Sequence, residues 1–216
     1  MPRLPVLPIC LTLCIACGRE ADLAQIQREA AQLLNRSTFA ADELVLLPPD
    51  SLSKRLDLLE VYHVELSDID TSRLNATQLA QWKKTHAALQ KALKQLREHR
   101  EDPAVYNLGA AIKLLLVNDS LGVETRWQLI ARRLEEAPAY YENAQQALQH
   151  PSPQRLRLAA QKQMLTLRLI NGELRDSLKT APLAARRRRD IEKLIPAAQS
   201  AIKDYILYCN NKYFDN

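Results

Sequence analysis

The sequence predicts an all-α fold, an irregular up-and-down helical bundle of about six to eight helices. Three observations carry this. The chain has only 4 glycines in 216 residues; Ala, Leu, Gln, Glu, Lys and Arg, all strong helix formers, dominate it. β-Branched residues are sparse, and no stretch shows the alternation between turn signals that marks a half-buried strand. Apolar residues recur instead at helical spacing, in segments divided by prolines and short polar links.

The elements follow in order. Leu23, Ile26, Ala30, Leu33 and Leu34 predict a first helix from about Arg19 to Asn35. Leu47-Pro48-Pro49-Asp50 forbids its continuation, because proline lacks a donor and restricts the residue before it. Ser51 is placed to cap a second helix to about Leu66, with Leu52, Leu56, Leu59 and His63 on one side. Asp68 to Asn75 reads as a polar turn. A long helix then starts at Asn75 or Thr77 and runs to about Arg100 along Leu79, Trp82, His86, Leu89, Leu93 and Leu96. Asp102-Pro103, a cap followed by proline at the first position, predicts the next helix start. Val105, Leu108, Ile112, Leu115 and Leu116 give it an unusually apolar body ending at Val117. A helix from about Gly122 to His150 contains Pro138, which predicts a kink or break near Glu136. Pro153 to Lys179 carries the stripe Leu156, Ala160, Met164, Leu167, Ile170, Leu174 and Leu178. The last helix runs from near Pro182 to about Asn210, with a second kink expected at Pro196. Each apolar stripe must bury itself against another helix, at roughly 1.5–3 kcal/mol per fully buried Leu or Ile.

The first seventeen residues differ from the rest. Arg3 is followed by an uncharged run from Leu4 to Cys17 and then Gly18-Arg19-Glu20. Charge, apolar run and small residue in that order form a secretory signal. The run is shorter than the roughly 20 residues that a bilayer span needs. Ile15-Ala16-Cys17 resembles the lipobox of bacterial lipoproteins, with Cys14 where an aliphatic residue is usual. That resemblance implies residues 1–16 as a lipoprotein-type signal peptide, lipidation at Cys17, and one helical domain over 17–216. An ordinary signal cut near Ala16 or Ala21, or an uncleaved anchor, fits the same run. Cys10, Cys14 and Cys17 all fall in this segment and only Cys209 lies elsewhere, so a chain starting at Cys17 has no intramolecular disulfide. Cys209 reads as a small core residue.

The net charge of +5, or +4 once Arg3 is removed, is too small to suggest nucleic acid, and export argues against it further. No Gly-rich phosphate loop and no G-x-S-x-G elbow occur. His63 with Glu60 and Glu65, or His99 with Glu98 and Glu101, are the groupings open to a metal reading; a surface or partly buried histidine is the simpler one. His86 belongs to the Trp82–Leu89 line and predicts a packing role. Tyr140, Tyr141, Tyr205, Tyr208, Tyr213 and Phe214 read as core and edge packing, or as a binding surface. Arg186, Arg187, Arg188 and Arg189 form the densest charge run. On a helix they point in four directions, so the run reads as a solvated helix start or as a contact to anionic lipid headgroups.

Several phrases resemble the N-terminal helical half of the bacterial DUF885 family. They are Glu101-Asp102-Pro103-Ala104-Val105-Tyr106, Ala131-Arg132-Arg133-Leu134-Glu135-Glu136-Ala137-Pro138 before a tyrosine pair, and Leu148-Gln149-His150-Pro151-Ser152-Pro153 before Ala159-Ala160-Gln161. The family shows D-P-x-x-Y, A-R-L-x-x-I-P and L-x-x-P-x-P in this order, and the resemblance covers roughly Leu52 to Tyr208. Its members are similar to zinc peptidases whose catalytic half carries a His-Glu helix. Here no histidine precedes a glutamate, and a zinc site needs three protein ligands and an open position. The expectation is a non-catalytic envelope lipoprotein with no cofactor. It would be tethered by its lipid, face the periplasm on the outer membrane rather than the inner, and bind or scaffold an envelope protein. The alternatives are a helical subunit that completes a zinc hydrolase with a separately encoded partner, or a remnant of such an enzyme.

Overall fold

A computed structural model describes residues 14–35, 37 and 43–214, with side chains from Leu23 onward. Most of the segment read as a signal, and the Cys17 side chain, lie outside the described residues. The described residues form an all-α bundle: α1 (Cys14–Asn35), α2 (Pro49–Ser67), α3 (Ala76–Glu101), α4 (Leu108–Leu116), α5 (Val123–Ala147), α6 (Pro153–Leu169), α7 (Arg175–Thr180) and α8 (Ala185–Phe214). None of these helices is long and apolar enough to cross a membrane. The chain divides into two compact units, Met1–Thr38 with Arg55–Leu93 and Phe39–Lys54 with Lys94–Asn216.

In the first unit Leu23, Ala30, Leu56, Leu59, Leu66, Leu89 and Leu93 are buried, as their spacing predicts. The turn between α2 and α3 holds a short 3₁₀ turn, Thr71–Arg73, capped by Asp70, whose carboxylate accepts from Ser72 N at 3.1 Å. Asn75 and Gln78 form a reciprocal capping box. Asn75 Oδ1 accepts from Gln78 N at 2.9 Å, and Gln78 Oε1 accepts from Asn75 N at 3.0 Å.

The second unit is built on α5 and α8. Trp127, Ile130, Leu134, Ala137, Tyr141 and Ala144 are buried on α5, and Ile191, Ile195, Ala198, Ile202, Tyr205 and Cys209 on α8. Both series alternate steps of three and four, the spacing that keeps one seam of a helix against a neighbour. Pro138 does not break α5, which runs unbroken from Val123 to Ala147. The ring sits on the exposed side, while Leu134, Ala137 and Tyr141 around it stay packed. Pro196 likewise lies within an unbroken α8.

Three elements depart from the sequence expectation. α2 starts at Pro49 rather than behind a Ser51 cap, because proline at the first position forfeits a donor that is free there anyway. The predicted helix from Pro103 to Val117 is two pieces. Asp102 caps only a 3₁₀ turn, Pro103–Val105, and Asn107 caps a new helix from Leu108, its Oδ1 accepting from Ala110 N at 3.1 Å. Between α6 and α7 lies a π turn, Ile170–Leu174, an inserted residue that shifts the buried face. The predicted stripe fails earlier, at Met164, which is 52% exposed, because a step of four from Leu156 and Ala160 drifts off the face that 3.6 residues per turn keep inward. The inward positions there are Gln163 and Thr166.

Gly109 marks the closest approach of α4 to α6. A Cβ there would stand 2.4 Å from Thr166 Oγ1 and 3.0 Å from Thr166 Cβ. The threonine cannot give way easily, since its hydroxyl lies 3.1 Å from Lys162 O and 3.4 Å from Asn107 Oδ1. Gly109→Ala is expected to cost about 1–3 kcal/mol by overpacking, despite the roughly 1 kcal/mol by which alanine favours a helix over glycine. Adding Thr166→Ala should restore part of the loss. Strictly additive melting shifts in that cycle would refute the clash.

Candidate functional site

Among the described residues, a constellation of polar side chains surrounds the stretch Asp102–Asn107 between α3 and α4, which holds only the 3₁₀ turn Pro103–Val105. Most of its backbone groups lie outside any α-helix, and buried polar groups must find partners. Side chains from α5, α6 and α8 supply these. Tyr205 Oη donates to Pro103 O at 2.9 Å, and Lys162 Nζ to Ala104 O at 3.0 Å. Gln163 Nε2 donates to Tyr106 O, while Gln163 Oε1 accepts from Tyr141 Oη. Asn107 N donates to Tyr140 Oη at 3.1 Å, and Leu108 N to Tyr141 Oη at 3.4 Å. Tyr106 reaches back to donate to His99 O at 2.6 Å. Arg155 closes the outer edge on Asp102 at 3.2 Å.

The tyrosine rings pack on one another. Tyr141 and Tyr205 have centroids 4.9 Å apart, Tyr140 and Tyr141 5.1 Å, and Tyr106 and Tyr140 5.3 Å. Burial raises the pKa of all four well above the ordinary phenol value of 10. Cys209 lies beside them, fully buried, and burial pushes its thiol up to about 12. A thiol held protonated is a poor nucleophile. His99 is buried edge-on to Tyr106, its Nδ1 2.8 Å from Gln95 O, and burial lowers its pKa. Every hydroxyl and amide in this set is engaged with the backbone or with another member. The arrangement fixes a chain segment; it does not present a reactive group.

Residues from several of the phrases singled out in the sequence meet here. Asp102, Pro103 and Tyr106 are the clamped segment, and Tyr140 and Tyr141 receive its amides. Ser152 caps α6, its Oγ 3.4 Å from Arg155 N. Arg132 and Arg133 both bind Glu136, at 2.7 and 3.0 Å. Sequence reading missed Gln163 and Thr166, which lie among apolar stripe residues with nothing local to mark them as core.

In the first unit, His86 stacks on Trp82 with centroids 4.8 Å apart and lies 4.8 Å from the His63 ring. Trp82 Nε1 donates to Leu66 O at 2.7 Å, and Ser67 Oγ lies 3.4 Å from His86 Nε2. This is the packing role that the Trp82–Leu89 line predicts. Among the described residues, neither His63 with Glu60 and Glu65 nor His99 with Glu98 and Glu101 forms a three-donor cluster. Glu29 accepts from Gln25 and Tyr62, each at 3.0 Å, and these bonds hold its carboxyl below the usual range.

The arginine run is not uniform. Arg186 and Arg189 are exposed, and Arg187 and Arg188 half-buried. Arg188 Nη1 donates to Lys179 O at 3.2 Å and Ala181 O at 3.4 Å, closing the end of α7. Arg126 does the same for α4, through Leu116 O at 3.2 Å and Leu121 O at 3.3 Å. Each arginine is the fourth residue of its helix and folds back onto the carbonyls of the helix before it, satisfying orphan acceptors.

No family model matches the chain, and no curated protein matches it. Among solved structures it is similar to a protein from Shewanella oneidensis described as "a putative lipoprotein of unknown function", with a TM-score of 0.66 and 16% identity. The match covers 89% of this chain and 38% of that one, so this chain spans well under half the length of that protein. At that identity the likeness is one of fold.

Proposed function

We propose that the chain is a lipid-anchored protein of the bacterial cell envelope, with a non-catalytic helical part that binds or scaffolds an envelope partner. The observation that carries it is the segment Met1–Cys17, with one charge, an apolar run and a cysteine behind a small residue. The description of the similar Shewanella protein supports the same reading. The use of tyrosine, glutamine and lysine side chains to hold the Asp102–Asn107 backbone supports the non-catalytic part of it. Gly18 rather than aspartate after the cysteine favours the outer membrane over the inner.

The test is intact mass and detergent phase partitioning of the protein expressed in a Gram-negative host, beside Cys17→Ser. The wild type is expected to carry a diacylglycerol-sized increment and enter the detergent phase. The variant should carry none and stay aqueous. A soluble, unlipidated wild type would overturn the anchor, and chelator-sensitive peptidase activity would overturn the non-catalytic reading. A second reading, a helical subunit completed by a separately encoded zinc hydrolase, is favoured by the DUF885-like phrases and the 38% coverage of the larger neighbour. Co-purification with a His-Glu-motif protein would select it.

A further inference from the structure

We infer that one end of the second unit, where α5 and α8 begin, is a docking surface for an anionic lipid bilayer. Helix geometry brings its parts together. The Tyr141–Tyr205 ring contact of 4.9 Å sets α5 beside α8. α6 turns back along α5 after a short link, with Gln163 on Tyr141, and α8 turns back along α6 and α7, with Gln199 on Asn171, Glu192 on Arg175 and Arg188 on Lys179, so α5 and α8 run the same way. α5 begins at Val123 and α8 at Ala185. At 1.5 Å per residue, both starts lie roughly 30 Å beyond the tyrosines. α4 delivers its last turn to the same end, since Gly109 meets Thr166 and Lys113 pairs with Glu173 at 3.6 Å farther along. Arg126 ties the end of α4 to α5, and Arg188 ties the end of α7 to α8.

The surface so assembled is both basic and aliphatic. Arg186 and Arg189 are exposed and Arg187 is half-exposed. Among the described residues none of the three has a carboxylate within 4.0 Å. Most neighbouring acids are paired: Glu173 with Lys113, Asp176 with Lys179, Asp190 with Lys193, Glu192 with Arg175 and Asp119 with Arg126, while Glu124 stands exposed in the first turn of α5. Arg186 and Arg187 also stand in the first turn of α8, where the macrodipole is positive and disfavours them, and Arg189 follows directly. Internal electrostatics give no reason for that placement; an external layer of anions does. Val117, 60% exposed, and the exposed Val123 flank the link between α4 and α5 at this end. Aliphatic side chains beside exposed cations match a face that lies at the headgroup–acyl boundary of an anionic bilayer. The inference uses the envelope reading only to place a membrane within reach.

The test uses Cys17→Ser full-length protein, which lacks the lipid, and co-sedimentation with extruded vesicles. One set is phosphatidylethanolamine with phosphatidylglycerol, and the other is phosphatidylcholine alone. Binding is expected to the anionic set only, and to weaken as salt rises. Each arginine contributes about fivefold, so Arg186→Gln/Arg187→Gln/Arg189→Gln should lose on the order of 100-fold. Val117→Ser/Val123→Ser should weaken binding severalfold with its salt dependence unchanged, and circular dichroism checks that both variants fold. No binding to anionic vesicles, or binding indifferent to the arginine changes, overturns the inference. Retention on polyglutamate without vesicle binding would reassign this end to an acidic protein and overturn it equally. An unlipidated wild type would sink the anchor and leave this surface standing. A failed vesicle assay would do the reverse.

Discussion

Alkaline unfolding of this protein should begin just above pH 9 and be complete near pH 11. Cys209 has an ordinary thiol value of 9.0 and is raised to about 12 in the fold. Tyr106, Tyr140, Tyr141 and Tyr205 are all raised from 10.0 by burial. Above those ordinary values the unfolded chain gives up protons that the folded chain must keep, so stability falls as pH rises. Each such group costs about 1.4 kcal/mol per pH unit. Together the five remove on the order of 5–10 kcal/mol by pH 11, comparable to the roughly 5–15 kcal/mol that holds a typical domain together. His99 acts with the opposite sign. Its pKa is depressed from 6.5 by burial, so its contribution is complete above that value and is lost as pH falls. Maximum stability therefore lies between about 6.5 and 9. Melting temperature against pH, read beside tyrosinate absorbance, checks this. The buried tyrosines should ionise together with unfolding, in one step. Tyrosinate absorbance that rises smoothly around pH 10 in a still folded chain would refute the burial argument.

Exchanging two adjacent residues should show which side of α6 is the inside. Gln163→Met is expected to cost about 2–4 kcal/mol, because it leaves Tyr106 O and the Tyr141 hydroxyl without their partner in a buried place. Met164→Gln should change stability by no more than about 0.5 kcal/mol, since the side chain is half in solvent. The two substitutions exchange the same residue types in opposite directions, so helix propensity hardly enters. Urea midpoints at constant slope give both values. Equal costs for the two would mean that the network does not hold the Asp102–Asn107 segment.

That pair of residues also shows what sequence reading reaches. An apolar stripe is legible because burial of hydrocarbon is additive and periodic, and Leu156, Ile170, Leu174 and Leu178 are buried as predicted. Gln163 is invisible to the same logic. Its burial depends on a carbonyl and a hydroxyl delivered from Tyr106 and Tyr141, far away in the sequence. The π turn at Ile170–Leu174 is equally hidden, since one inserted residue changes no local propensity. Asp102-Pro103 does start a helical turn, but the cap signal cannot say whether one turn or four will follow. The pull of Gln163 and Tyr140 on the next residues ends it at Val105. The arginine run was legible as charge. That Arg188 closes a helix end while Arg186 and Arg189 face outward depends on where α7 stops.

The bond from Tyr205 to the carbonyl of Pro103 spans 102 residues of chain. As the ribosome releases the polypeptide, Asp102–Asn107 emerges long before α8 does, and its carbonyls must wait for a partner still to be translated. Closing so distant a pairing is slow, because the loop entropy must be overcome first. A nascent chain that cannot complete this unit until its final helix appears stays threadable.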